Sequence, residues 1–396
     1  MLARYPTNAI HDARAKALTP AIEAASPRVE AERKIPDDVL SALHDARLFH
    51  MLTPRSVGGE EVDVLTFFAA VEAVAAGDAS TGWCVGQAGG IATVAAYLEP
   101  AVAREIFGGH ASVVAWGPNA RKARAVMAPG GYRVSGSWQF ASGSRHAQWL
   151  GAHCPVFEAD GSTPAKGSDG KPRDRTMLLP KSKARVTDVW NVMGLKGTGS
   201  DSYEIDDLFV PEEHTFTRDA EADRRVQSPL YRHFSNFNMF GLAFAGVSLG
   251  VASSMMRDFR DLAGRKAPQS TGFQALLRDN AVVQAKVAQC AARLSSARGF
   301  VEGVYGDLWD RALRDEPFAL EDRARMRLAS TFAMNEAREV AALLYNAAGS
   351  TAIFESAPFE RRFRDMNCAS QQGQAHLSNY EVIGQTMLGL TPKGRV

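Results

Sequence analysis

The sequence is poor in the features that mark several large functional classes. Four cysteines, Cys84, Cys154, Cys290 and Cys368, are spread over 396 residues without a CxxC pair. That spacing argues against a disulfide scaffold and fits a thiol-reducing, cytosolic setting. Neither sign of charge prevails: 45 Lys+Arg against 44 Asp+Glu leave +1, so no electrostatic footprint for nucleic acid or an anionic membrane is present. The opening MLARYPTNAIHDARAK carries charge but no apolar core, unlike a secretory leader. No GxGxxG follows a strand-like run, GxxxxGK[ST] and HExxH are absent, and no GxSxG stands as a strand-to-helix elbow, Gly246–Gly250 falling inside an expected helix. Rossmann, P-loop, zincin and serine-hydrolase sites therefore lack support. His146, His153 and Cys154 lie close in sequence, but positions seven apart on one strand face opposite ways, so no metal site is expected.

Charge is also missing locally. Ala79–Leu98 and Phe234–Met256 each run about twenty residues without a charged side chain, long enough for a membrane span. Both are interrupted by polar or small residues, among them Ser80, Thr81, Gln87, Asn236 and Asn238, and neither has flanking basic asymmetry with an aromatic belt. They read as helices surrounded by other parts of the protein.

What is present falls into three zones. Residues 1–110 carry apolar positions at helical spacing, with helices expected at Val64–Ala76 and after Asp78. Residues 111–222 switch to period two, with strands expected at 112–116, 122–127, 132–142, 148–157, 176–179 and 202–210, and a turn at Gly130-Gly131. The polar stretch 160–175 reads as an exposed loop. Residues 223–396 return to long helices, expected at 237–263, 273–305, 317–347 and 358–390. Helix, sheet and helix in succession predict an α+β fold of three domains.

Three segments carry candidate chemistry. Trp138, Phe140 and Ser142 alternate along a strand and are expected to share one face, either as a wall for a flat aromatic ligand or as core. Trp190–Ser202 places three glycines beside Thr198 and Ser200, so either a backbone and its hydroxyls approach a ligand or the chain simply turns into the next strand. The run Pro358–Asp365 holds Arg361, Arg362 and Arg364, which can pair with acids or bind a cofactor phosphate.

In this order the segments resemble the acyl-CoA dehydrogenase superfamily, and most closely its flavin-dependent monooxygenase branch of two-component hydroxylases. The resemblance runs through Arg33–Gly59, Ser80–Trp83, Gly131–Gly143, Trp190–Ser200 with Phe209-Val210-Pro211, and Arg364-Asp365. It implies a helical N-terminal domain, a central β-barrel-like domain, a C-terminal four-helix bundle and a homotetramer. It also implies reduced FMN or FAD delivered by a separate reductase. Trp116, Trp138, Phe140, Ser142, Thr198 and Ser200 would contact that flavin, with Ser200 or Ser142 near N5. The first bundle helix would be the uncharged run from Phe234, its Gly246-xxx-Gly250 spacing allowing close helix approach.

The resemblance also separates two chemistries. A dehydrogenase needs a carboxylate base shortly after the Arg-Asp pair, whereas Ser370-Gln371-Gln372-Gly373 holds no acid and Glu381 lies well beyond. The monooxygenase branch usually has a histidine where Gln372 stands. His376, one helical turn on, is expected to share its face. Some relatives carry another histidine where this chain has Gly89-Gly90. Ser200, Gln372 and His376 are the candidate catalytic residues of an oxygenase acting on an aromatic or heteroaromatic small molecule, with Gln372, His376 and Trp116 on the substrate side. The alternatives are a flavin dehydrogenase with a relocated base and a non-catalytic flavin- or ligand-binding relative.

Overall fold

The computed structural model describes residues 9–167, 170–218, 224–267 and 276–395. Its first layer is helical: α1 (Ala9–Glu32), α2 (Asp37–Asp45), α3 (Val64–Gly77), α4 (Ala79–Ala92) and α5 (Pro100–Phe107). Two acid caps set its centre. Asp63 accepts the Thr66 amide at 2.8 Å to start α3, and Asp78 accepts the Thr81 amide at 2.7 Å to start α4. Every residue of α4 is buried, so the first uncharged run is a core helix that continues into a short turn at Thr93–Tyr97.

Among the described residues eight strands follow: β1 (Val114–Trp116), β2 (Asn119–Ala128), β3 (Gly131–Ala141), β4 (Trp149–Phe157), β5 (Asp174–Pro180), β6 (Arg185–Thr187), β7 (Asp201–Pro211) and β8 (Thr215–Phe216). They pair in the order β6-β7-β3-β2-β4-β5-β8, with β1 added parallel to β4. The terminal strands β6 and β8 are short, which limits the unpaired edge. Pairing of β3 with β7 slips twice, between Val134 and Gly136 and between Trp138 and Ala141. The second slip shapes the site.

The third layer comprises α6 (Pro229–His233), α7 (Asn236–Ala263), α8 (Ala281–Leu313), α9 (Leu320–Ala348), α10 (Pro358–Ala369) and α11 (Ser378–Met387). Helix α7, the second uncharged run, is long and apolar enough to cross a membrane, but 89% of its apolar window is buried inside the protein. It packs against α3, α4, α9 and α10. A Cβ at Gly250 would lie 2.3 Å from the Glu72 carbonyl of α3, so the small residue there permits the close approach. The expected start of the next helix at 273 lies outside the described residues, and α8 continues to Leu313 before Asp315 turns left-handed at φ 59°.

One expected helix is two. Residues 370–377 interrupt 358–390 because buried side chains take their carbonyls out of a helical ladder. Thr331 donates to the Gln374 carbonyl at 2.9 Å, Asn335 to Ala375 at 3.0 Å and Asn379 to Gly373 at 3.0 Å.

Candidate active site

The second slip in β3 places Phe140 in the left-handed region at φ 64°. A bulky residue there is strained, and such strain persists where the surroundings impose it, commonly at functional sites. It breaks the period-two alternation, so Trp138, Phe140 and Ser142 do not share a face. Trp138 is fully buried, stacked on Tyr203 at 5.4 Å, and its Nε1 donates to the His153 carbonyl at 3.1 Å. It belongs to the sheet core and offers no face to a ligand, which corrects its assignment to a cofactor wall. Phe140 turns outward instead, 50% exposed, meeting Trp190 edge-on at 6.0 Å. Val189 and Met193, which adjoin Trp190 in the chain, are exposed as well.

Ser142 goes inward and starts a buried hydroxyl chain. Trp83 Nε1 donates to Ser142 Oγ at 3.1 Å, Ser142 Oγ lies 2.7 Å from Ser200 Oγ, and Ser200 Oγ lies 2.7 Å from Thr198 Oγ1. Thr198 Oγ1 then donates to the Leu195 carbonyl at 2.8 Å. A carbonyl only accepts and each hydroxyl has one proton. All three contacts are therefore hydrogen bonds in one polarity: Ser142 donates to Ser200, Ser200 to Thr198 and Thr198 to Leu195. The Gly-rich segment thus does more than turn the chain: it brings Thr198 and Ser200 to Ser142.

The segment is fixed from the helical layers. Leu195 adopts φ 53°, and its N–H donates to Asp365 Oδ1 of α10 at 2.6 Å. Its carbonyl also receives Trp190 Nε1 at 2.9 Å. A Cβ at Gly194 would lie 2.5 Å from the Arg364 carbonyl, so the turn rests directly on the α10 backbone. Asp365 is buried, and its carboxyl is pushed up to about 7, first by burial and then by the charge of buried Asp78. Arg364 joins Glu30 of α1 at 2.8 Å, and Glu30 also takes Lys196 at 2.8 Å. Arg361 bonds Ser26 and Arg362 bonds Glu23, both at 2.7 Å. The Arg-rich stretch therefore ties α10 to α1 through acids and a hydroxyl.

From Trp83 an aromatic column crosses the molecule. Trp83 stacks on Phe244 at 4.0 Å, Phe244 on Phe240 at 6.0 Å, and Phe240 meets Trp116 edge-on at 5.9 Å. Trp116 then meets His153 at 4.8 Å. A Cβ at Gly90 would lie 2.7 Å from the Phe240 ring, so that ring occupies the room a side chain at position 90 would need. Phe240 and Phe244 were not singled out from sequence; both lie in the apolar run, where helical spacing places them on one face.

The third candidate group separates. His376 is exposed, with Nδ1 2.7 Å from Ser378 Oγ, because residues 370–377 are not helical and the expected shared face with Gln372 does not form. Gln372 is half-buried, donating to Met334 Sδ at 3.2 Å and accepting the Gln374 amide at 2.6 Å. Gln374, which sequence spacing did not mark, is the buried member and donates to the Phe237 carbonyl of α7 at 3.2 Å. Glu381 is exposed beside Gln385. Ser200, the remaining candidate, sits inside the hydroxyl chain.

Family models for the acyl-CoA dehydrogenase N-terminal and C-terminal domains match residues 7–112 and 242–376. Among characterised proteins, the chain is 27% identical to the flavin-dependent monooxygenase oxygenase subunit HsaA of Rhodococcus jostii, over 95% of this chain and 96% of that one. It is 28% identical to indole-3-acetate monooxygenase of Pseudomonas putida, over 92% and 90%. Among solved structures it is similar to XiaF from Streptomyces sp. in complex with FADH2 and glycerol, with TM-score 0.89 and 25% identity over 98% of this chain and 97% of that one.

Proposed function

Because the chain belongs to the acyl-CoA dehydrogenase superfamily, and within it to the flavin-dependent monooxygenase branch, we propose that it is the oxygenase component of a two-component system that hydroxylates an aromatic or heteroaromatic small molecule. The observation that carries this reading is the junction at Trp83, where an aromatic column meets a buried hydroxyl chain. A flavin needs flat apolar contact for its rings and polar partners along one edge. The Phe140–Trp190 pair with Val189 and Met193 suits the first, and Ser142, Ser200 and Thr198 suit the second. The residues present fit the group.

When bound, the reduced flavin supplies the electrons that activate O2. Ser142 and Ser200 would hold its N5 edge, and Phe140 and Trp190 would pack on its rings. Phe240, Phe244 and Trp116 hold the substrate ring and exclude water from the reacting atoms. Gln374, rather than His376, supplies a polar group on the substrate side, since its amide reaches the start of α7. FMN or FAD, a separate reductase as donor, a homotetrameric assembly and a cytoplasmic setting complete the proposal. The exposed apolar side chains of Val282, Leu313, Met387 and Leu388 support assembly, and the free thiols support a reducing compartment. A dehydrogenase reading finds no support, since residues 370–377 contain no acid and Glu381 is exposed.

The test supplies anaerobically reduced FMN or FAD, adds oxygen, and screens phenols and indoles for substrate-dependent oxygen uptake with label from O2 in the product. Hydroxylated product supports the proposal. Bleaching of bound oxidised flavin by an acyl-CoA under anaerobic conditions overturns it.

A further inference from the structure

The polarity of the hydroxyl chain has a chemical consequence for its ligand. The Leu195 carbonyl anchors one end, so every hydroxyl proton points toward it, away from Trp83. Ser142 and Ser200 consequently present lone pairs, not protons, to a group placed beside them. Reduced flavin carries hydrogen on N5 and is a donor there; oxidised flavin has a lone pair on N5 and is an acceptor. An acceptor facing an acceptor leaves N5 without a donor and sets lone pair against lone pair in a buried site, which is unfavourable.

We propose that the chain Ser142–Ser200–Thr198, polarised by the Leu195 carbonyl, discriminates reduced from oxidised flavin, with Asp365 as the positioning residue that holds the Leu195 peptide in place. The inference rests on the reading that Ser142 and Ser200 face N5. Asp365 acts through one peptide group: its Oδ1 takes the Leu195 N–H at 2.6 Å, and the same residue's carbonyl takes Thr198 Oγ1 and Trp190 Nε1. A non-glycine residue at φ 53° needs such restraint on both sides. The arrangement suits a protein that must accept reduced flavin from a partner and release it once oxidised.

The experiment compares dissociation constants of reduced flavin, measured anaerobically, and oxidised flavin, for wild type, Thr198→Val and Thr198→Ser. Valine keeps the shape but removes the acceptor for Ser200, whose proton is then free to meet N5 of oxidised flavin. The wild type is expected to bind reduced flavin more tightly. Thr198→Val narrows the ratio about five- to tenfold, mostly by tightening the oxidised form, as one gained hydrogen bond implies. Thr198→Ser restores the wild-type ratio. Should valine prevent folding, as circular dichroism would show, Thr198→Ala makes the same comparison. A ratio unchanged in folded Thr198→Val or Thr198→Ala overturns the inference, as does a wild type that binds both forms equally. A wild type that binds neither form overturns the flavin reading and the inference together.

Discussion

Trp138 and Phe140 lie two residues apart in one strand, yet their substitution is expected to have opposite consequences. Trp138 is fully buried on Tyr203 and its indole N–H satisfies the His153 carbonyl. Trp138→Phe keeps a ring but leaves that carbonyl without its donor, a loss of about 2 kcal/mol. Trp138→Ala also opens a cavity and costs about 3–5 kcal/mol. Phe140 is half exposed with one edge-on aromatic neighbour, so Phe140→Ala costs under about 1 kcal/mol of stability. If its ring packs on the flavin, the same change weakens flavin binding roughly tenfold, about 1.4 kcal/mol. Urea unfolding monitored by circular dichroism gives the stabilities, and anaerobic titration gives the affinities. The reasoning fails if Trp138→Phe weakens flavin binding at unchanged stability, or if Phe140→Ala unfolds the protein while its binding is untouched.

Asp365, with its carboxyl raised to about 7 against about 4 in an unfolded chain, holds its proton more tightly when folded. Its contribution to stability is therefore full below about pH 4 and is lost progressively up to about pH 7; Asp365→Asn should gain on wild type across that window by at most about 4 kcal/mol, read from urea midpoints at each pH. At Gly250, where a Cβ would sit 2.3 Å from the Glu72 carbonyl, valine should force α7 from α3 and lower stability by about 3 kcal/mol or more in the same unfolding assay. Asn379→Ala removes the donor to the Gly373 and Gln374 carbonyls and should cost about 2 kcal/mol, with faster amide exchange confined to residues 370–377 as its signature.

The layers were legible because their signals are local. Period two marked β2 to β5 and β7, while apolar positions at helical spacing marked α3 and Asp78 marked the start of α4. What sequence could not show are events set by partners distant along the chain. The slip at Phe140 is a relation between β3 and β7, and nothing in Trp138-Gln139-Phe140 signals which residue takes φ 64°. The break at 370–377 is imposed by Thr331 and Asn335 of α9 and by Asn379 of α11, so extrapolating a helix through Gln372 to His376 failed for a tertiary reason. Ser142, Thr198 and Ser200 could be named as hydroxyls near a ligand. Their mutual bonding, and the part of Trp83 in it, required the folded chain.

Those long connections constrain how the site can form. Ser142 reaches Ser200 across 58 residues and Trp83 across 59, and Leu195 reaches Asp365 across 170. The first of these stays within the strand-rich layer, while the other two join it, or the loop emerging from it, to helices: Trp83 on α4 and Asp365 on α10. Lys196 and Arg364 meet on the same Glu30 of α1. The central layer alone therefore supplies the hydroxyls but neither the donor at Trp83 nor the acceptor at Asp365 that holds Leu195 in its left-handed turn. Hydroxyl polarity becomes fixed only when the Gly-rich loop docks against both helical layers, so order at this site is a property of the assembled fold. A substitution at Gly194, next to Leu195 in the chain and seated on the α10 backbone, should consequently loosen the whole chain of bonds at once.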